Sequence, residues 1–201
     1  MWGFVVIGLC LATGIIFFVV LRDPETPKPK LTSPVAVASP AAPPPAETPA
    51  TRVANAKTFA QAIDLARPAF TDTTDELGDG AKLLANYAAK KLRWAEVQLP
   101  AETTLARVEK DPQLERGKRL CATGEIVRIA RRDLGDRKLY VGRLRTAEHD
   151  DVAFVAAGTT GDLVKRSTGT LCGAVLGMSG DAVSILGMFD LDENRMPLVE
   201  Q

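Results

Sequence analysis

The stretch between residues 118 and 189 constrains the fold most, because short apolar segments follow one another there with turn residues between them. Alternation of apolar and polar residues is typical of strands with one buried face. The segments are RLCATGEIVRIAR, KLYVGRLR, VAFVA, TLCGAVLGM and AVSILGMF. Ser179-Gly180-Asp181 joins the last two as a tight hairpin turn. We therefore predict a sheet of five strands.

The first of these strands changes phase along its length. Leu120 and Ala122 fall on one face, whereas Val127 and Ile129 fall on the opposite one, with Gly124 between the two pairs. Glycine tolerates the backbone dihedral angles of a bulge or a sharp bend. The sequence thus predicts a first strand that bends at Gly124.

This order of elements resembles the OB-fold, a small Greek-key barrel. A long bent strand, a three-strand meander, a link over residues 157–168 and a final hairpin carry the resemblance, which is architectural and rests on no short motif. It implies that the first and fourth strands are neighbours. Another small barrel of the SH3-like kind, or an open antiparallel sheet packed on the preceding helices, is the alternative.

Helices are predicted before the strands. Thr58 can cap a short helix that ends at Pro68. Residues 81–99 predict one longer helix with Leu84, Ala88, Leu92 and Ala95 in a stripe. We expect this stripe to pack on the barrel or to cap its open end. The basic residues Lys90, Lys91 and Arg93 lie late in the helix, where cations complement its dipole.

The chain begins with an apolar segment over residues 2–21 that carries no charged side chain. A helix of about 20 apolar residues spans a bilayer, so we predict an uncleaved membrane anchor rather than a cleaved signal peptide. Arg22, Lys28 and Lys30 follow the anchor and would favour a cytoplasmic domain. The composition of the next segment and a pair of cysteines favour the extracytoplasmic, periplasmic side, which we prefer.

Residues 23–56 are rich in Pro, Ala, Thr and Ser and predict a disordered, extended spacer. A PxxP ligand for a peptide-binding domain is the alternative. The predicted fold class is α+β, with an N-terminal transmembrane helix, this linker, short helices and a five-stranded OB-like Greek-key barrel. The predicted divisions are residues 1–22, 23–56, 57–117, 118–189 and a charged tail over 190–201.

Two cysteines fall in the predicted barrel, Cys121 in the first strand and Cys172 in the fourth. Since the resemblance makes these strands neighbours, a disulfide is possible, and it would imply an oxidising compartment. Two buried free thiols are the equal alternative. No CxxC motif and a single histidine leave no Cys/His set for a tetrahedral metal site.

No catalytic constellation is evident in the sequence, and we predict no catalytic residue, no metal and no cofactor. His149 lies in the polar turn AEHDD and is interpreted as a solvated residue. The GMSGD segment departs from the GxSxG pattern, and GTTGD lacks the lysine of a P-loop. DLDENR has arginine where a calcium loop needs glycine.

Charge divides the predicted barrel, although the formal net charge of the chain is zero. The first hairpin is basic and the later strands are acidic. The candidate binding surface comprises Arg128, Arg131, Arg132, Arg137, Lys138, Tyr140 and Arg143. Tyr140 is its one aromatic residue, which argues against single-stranded nucleic acid, since such binders stack bases on several. Pairing of opposite charges across strands is the alternative explanation.

These features predict a membrane-anchored, non-enzymatic binding or interaction module of the cell envelope. Its partner would be a protein or a polyanionic ligand. The alternative is a membrane-tethered OB-fold protein that binds nucleic acid or another polyanion.

Overall fold

The computed structural model describes residues 47–74, 76–134 and 137–196, with residue 137 described by its backbone alone. The helices are α1 Pro49–Ala54, α2 Phe59–Ala66, a 3₁₀ turn Arg67–Ala69, α3 Asp79–Lys91, α4 Trp94–Val97, α5 Leu105–Lys110, α6 Pro112–Glu115 and α7 Asp192–Arg195. The strands are β1 Arg119–Leu134, β2 Arg137–Arg145, β3 Asp151–Ala157, β4 Thr168–Ser179 and β5 Ala182–Phe189.

The strands form a closed ring in the order β1-β2-β3-β5-β4. The β3–β5 pair is parallel and the other pairs are antiparallel. The five predicted strands and the predicted proximity of the first and fourth are therefore confirmed. Closure excludes the open-sheet alternative and is compatible with the OB-like resemblance.

The phase change in β1 lies at a different residue from the one predicted. The register with β2 shifts between Ile126 and Arg128, so the bulge lies at Val127 and not at Gly124. Leu120, Ala122 and Ile126 are all buried in the barrel interior, and Ile129 packs against the same interior beyond the bulge. The predicted change of phase is therefore present, but its predicted place at Gly124 was wrong.

Two apolar cores share the strands. Residues that point into the ring include Ile126, Leu144, Phe154, Leu171, Ile185 and Phe189. The rings of Phe154 and Phe189 meet edge to face with centroids 5.2 Å apart. The second core lies between the outer face of the strands and the helices, and it includes Phe59, Leu84, Tyr87, Leu139, Val155 and Leu186. The prediction that the helical segment packs on the barrel is confirmed.

The single helix predicted over residues 81–99 is two helices. Helix α3 ends at Lys91, Leu92 turns to an extended backbone and α4 begins at Trp94. Glu96 explains the break, because its carboxylate accepts the N–H groups of Arg93 at 3.3 Å and of Phe59, at the start of α2, at 2.6 Å. A tertiary contact thus caps α4, and Ala95, expected in the buried stripe, is exposed.

The folded unit begins inside the predicted spacer. Helix α1 falls within residues 23–56, and its Val53 is buried against the other helices with 1% exposure. The proposed anchor over residues 2–21 lies outside the described residues, as does most of the spacer. Across the part of the chain that the structure does describe, there is no helix with the length and apolarity of a membrane span.

The segment after β5 is charged and largely exposed as far as Met196, as predicted, but one of its residues is buried. Helix α7 places Asn194 in the interior with 8% exposure. Its side-chain amide donates to the carbonyls of Phe189 and Thr159, both at 2.9 Å. These contacts fix the link between β3 and β4 to the end of β5. Asn194 is therefore a structural residue, not a calcium ligand.

Candidate interaction surface

The predicted basic residues lie mainly on a hairpin arm, which we define as residues 128–134 of β1 and 137–143 of β2. In the register, Arg131 lies opposite Tyr140, and Arg132 lies opposite Leu139. Opposed residues of an antiparallel pair share a face, and successive residues alternate between faces. The arm therefore presents basic residues on both faces and not on a single surface.

One face of the arm continues the barrel interior, and the other continues the outer surface. Arg131, Tyr140 and Lys138 share the inner face, whereas Arg128, Arg132 and Arg143 share the outer one. Tyr140 packs against the interior cluster and is partly buried. Residue 137 pairs with Leu134 through its backbone. The candidate binding residues therefore lie on one hairpin, but they are divided between its two faces.

Ion pairs neutralise the arginines nearest the ring. Arg145 Nε lies 2.8 Å from Asp151 Oδ1, across the β2–β3 pair. Arg143 reaches Asp181 in the β4–β5 turn at 3.4 Å and Asp151 at 4.0 Å. The hydrogen bond from Arg145 lowers the pKa of Asp151 against the opposing effect of burial. The alternative in which basic and acidic strands pair with each other thus holds for this part of the hairpin.

Positive charge is left towards the tip of the arm. Arg128, Arg132 and Lys138 are exposed, and Arg128 makes no ion pair with a described residue. Arg131 pairs with Asp133 on its own strand at 2.8 Å, with both side chains about half or more exposed. Exposed pairs of this kind contribute little to stability, so Arg131 remains accessible to other carboxylates.

The helices cover part of the outer face of the arm and the outer face of β3 beside it. Leu139, Val141, Val155 and Ala157 pack into the core formed with α3. OB-folds that bind oligonucleotides use the face of strands two and three together with the adjoining loops. In this chain that face is part of the protein's own interior.

The two barrel cysteines are bonded to each other. Cys121 and Cys172 are directly opposed in the β1–β4 pair, and their sulfur atoms are 2.03 Å apart. Cys172 is 5% exposed under the helical layer, whereas Cys121 is exposed. The next outer pair, Thr123 and Thr170, shares a hydroxyl hydrogen bond of 2.8 Å. A covalent and a polar link therefore follow each other along this pair of strands.

His149 lines a groove of about 430 Å³ at the other end of β2. Glu125, Arg145 and three threonines line the same groove, and Thr146 closes the loop by accepting the N–H groups of His149 and Asp150 at 3.0 and 3.1 Å. His149 has a φ of 73°, which is uncommon for a residue other than glycine. The groove could not be recognised from the sequence, because the residues that line it together with His149 come from distant segments of the chain.

Within the described ranges, no three His, Cys, Asp or Glu side chains converge in a way that could hold a metal ion. Comparison with models of known protein families finds no match, and comparison with curated proteins finds none at a significant level. The site is therefore interpreted from its own geometry.

Proposed function

We propose that this protein is a membrane-anchored, non-enzymatic interaction module of the cell envelope. Its barrel would be an OB-like module, and the hairpin arm would be the surface that contacts a partner. The observation that carries the proposal is the exposed positive charge of Arg128, Arg132 and Lys138 on the arm, whereas Arg143 at its base and Arg145 beyond it are paired with carboxylates.

The disulfide supports an extracytoplasmic location. Disulfides persist in oxidising compartments and are rare in the cytosol. The proline-rich sequence of residues 23–46 suits a spacer that holds a domain away from a membrane. The basic residues Arg22, Lys28 and Lys30 favour the opposite orientation. We give the disulfide more weight because it lies in the folded unit itself.

A polyanion-binding protein is the second candidate, and the basic arm is the observation that favours it. Two features place it second. The face that OB-folds use for oligonucleotides is covered by α3. Tyr140, the one aromatic residue of the arm, is partly buried against the interior and offers little surface for base stacking.

The test is site-specific photocrosslinking of the full-length protein in its native membranes. A photoreactive amino acid replaces Lys138 on the arm, and the matched control replaces Lys110, which is exposed on α5. We expect discrete protein adducts from position 138 that disappear in the Arg128→Glu/Arg132→Glu variant. Adducts to nucleic acid or acidic glycan that vanish steeply with added salt would favour the second candidate instead.

The same membranes provide the test of compartment. Free thiols are blocked under denaturing conditions, and the mass is read before and after reduction. A disulfide between Cys121 and Cys172 supports the extracytoplasmic assignment. Free thiols at both positions would contradict the argument from the disulfide and move the search for partners to the cytoplasm.

A further inference from the structure

One long side of the arm has no neighbouring strand. Strand β4 pairs with β1 only from Arg119 to Glu125. Backbone pairing on that side ends at Ile126, whose N–H bonds to the carbonyl of Ser167 and whose carbonyl accepts from Arg166, both at 2.8 Å. Residues 128–134 of β1 pair with β2 alone. Throughout the described ranges, their backbone groups make no hydrogen bond outside that ladder.

The ring is therefore closed by the first half of β1, and the second half is a free edge. A strand edge exposes a row of unpaired N–H and C=O groups and can template pairing with another chain. Charged side chains are one way in which proteins prevent unwanted pairing at such an edge. Arg128, Arg131 and Arg132 would have this effect on a second copy of the chain, since pairing two such edges brings like charges together.

A basic edge that repels a second copy of itself is electrostatically complementary to an acidic chain. We infer that the free edge of β1, residues 128–134, binds an extended acidic segment of a partner protein as an added strand. This inference rests on the proposed function and names the class of partner for the arm. Main-chain hydrogen bonds would supply affinity, and alternate side chains would supply specificity.

The side chains of the edge fit such a segment on both faces. On the outer face, carboxylates of the added strand would meet Arg128 and Arg132. On the inner face, one would meet Arg131, in exchange for its exposed pair with Asp133. Ile129 and Ala130 are only partly buried and would be covered by apolar residues of the partner. The partner segment is thus expected to combine acidic and β-branched residues.

Main-chain pairing separates this partner from a nucleic acid, whose backbone has no amide groups to continue a β-ladder. The test is fluorescence anisotropy with the full-length protein and a labelled synthetic peptide. The peptide has about eight residues, a usual strand length, with Glu or Asp placed to lie opposite Arg128, Arg131 and Arg132 and with Val or Thr at the remaining positions. Its N-methylated forms, each lacking one backbone donor, and a single-stranded oligonucleotide of equal charge are the further probes.

We expect saturable binding of the peptide, with loss of binding on N-methylation at every second position and tolerance at the positions between them. Reversal of charge in Arg128→Glu/Arg132→Glu should weaken binding about tenfold, as expected for two exposed charge contacts that become repulsive. The matched control, Lys57→Glu/Lys110→Glu, makes the same change in net charge away from the arm and should leave affinity unchanged.

Three results would overturn the inference. The peptide fails to bind, or N-methylation has no alternating effect, or the oligonucleotide binds as tightly as the peptide. None of these decides the proposed function, which is tested by the crosslinks from position 138. Crosslinks that depend on Arg128 and Arg132, together with no alternating effect, would keep the interaction module and reject the added strand.

Discussion

Asn194 and Thr159 are joined by two part-buried hydrogen bonds. The Asn194 side-chain oxygen accepts the Thr159 N–H at 3.0 Å, and its side-chain nitrogen donates to the Thr159 carbonyl at 2.9 Å. A third bond to the Phe189 carbonyl satisfies the remaining donor. A residue near the end of the described chain therefore holds the β3–β4 link against the last strand.

Asn194→Ala should lower the free energy of unfolding by about 3 kcal/mol, because buried backbone groups lose their partners. Urea denaturation followed by circular dichroism measures the change. The matched control is Asn86→Ala on α3, where an exposed asparagine donates to the Lys82 carbonyl within its own helix. A loss at position 194 no larger than the loss at position 86 would contradict the clamp.

The disulfide should contribute substantially to stability, since it closes a sequence separation of 51 residues. Loop-closure entropy gives about 4 kcal/mol for a loop of that size. The Cys121→Ala/Cys172→Ala variant should therefore unfold at a lower urea concentration than the oxidised protein. Cys10→Ala is the control, and adding reductant should destabilise this control and the unaltered protein but not the double variant.

Gly177 and Gly180 should respond differently to the same substitution. Both have positive φ, of 131° and 64°, but a Cβ at Gly177 would lie 2.5 Å from Asp72 Oδ1, whereas at Gly180 the nearest atom is 3.9 Å away. Gly180→Ala should cost about 1 kcal/mol, the backbone penalty of a left-handed conformation.

Gly177→Ala should cost about 3 kcal/mol because Asp72 must also move away from Arg116, its partner at 2.8 Å. Thermal denaturation of the two variants gives the comparison. Equal losses would show that the contact between the loop after the 3₁₀ turn and β4 contributes nothing beyond the backbone term.

Asp151 should make the stability depend on acid pH. The hydrogen bond from Arg145 lowers the pKa of Asp151 below its ordinary value of 3.8. A carboxyl group with a lowered folded-state pKa stabilises the fold above its unfolded pKa and loses that contribution as the pH falls through the folded value.

The difference in stability between the unaltered protein and Asp151→Asn should consequently be constant near neutral pH and shrink as the pH falls below about 4. Urea denaturation at a series of pH values measures it. A difference that stays constant down to the acid transition would mean that the Arg145–Asp151 pair contributes no pH dependence.

Short sequence patterns correctly predicted a helix cap, a hairpin turn and the five strands, which depend mainly on neighbouring residues. Thr58 caps α2 by accepting the Gln61 N–H at 3.2 Å, as its residue type indicates. The Ser179-Gly180-Asp181 turn joins β4 to β5. Short apolar segments bounded by turn residues identified the five strands, including β5, which is buried on both faces. These features need only a few neighbouring residues to be recognised.

The features that sequence reasoning missed depend on residues far apart in the chain. The α3–α4 break requires Glu96 to reach Phe59, and the burial of Asn194 requires Thr159 beside it. The change of phase along β1 was predicted, but its place at Val127 follows from the register with β2. The candidate site was found as a hairpin, but its division between two faces followed from the register, which composition does not encode.

The strand order has a consequence for how the chain acquires its structure. The last strand, β5, lies between β3 and β4, so β3 and β4 are never adjacent and the ring cannot close before Phe189 is available. During synthesis from the amino terminus, strands β1, β2 and β3 are therefore made before the ring can close. Closure of the barrel therefore depends on β5 pairing with both β3 and β4, so no shorter part of the chain that stops before β5 can complete the ring.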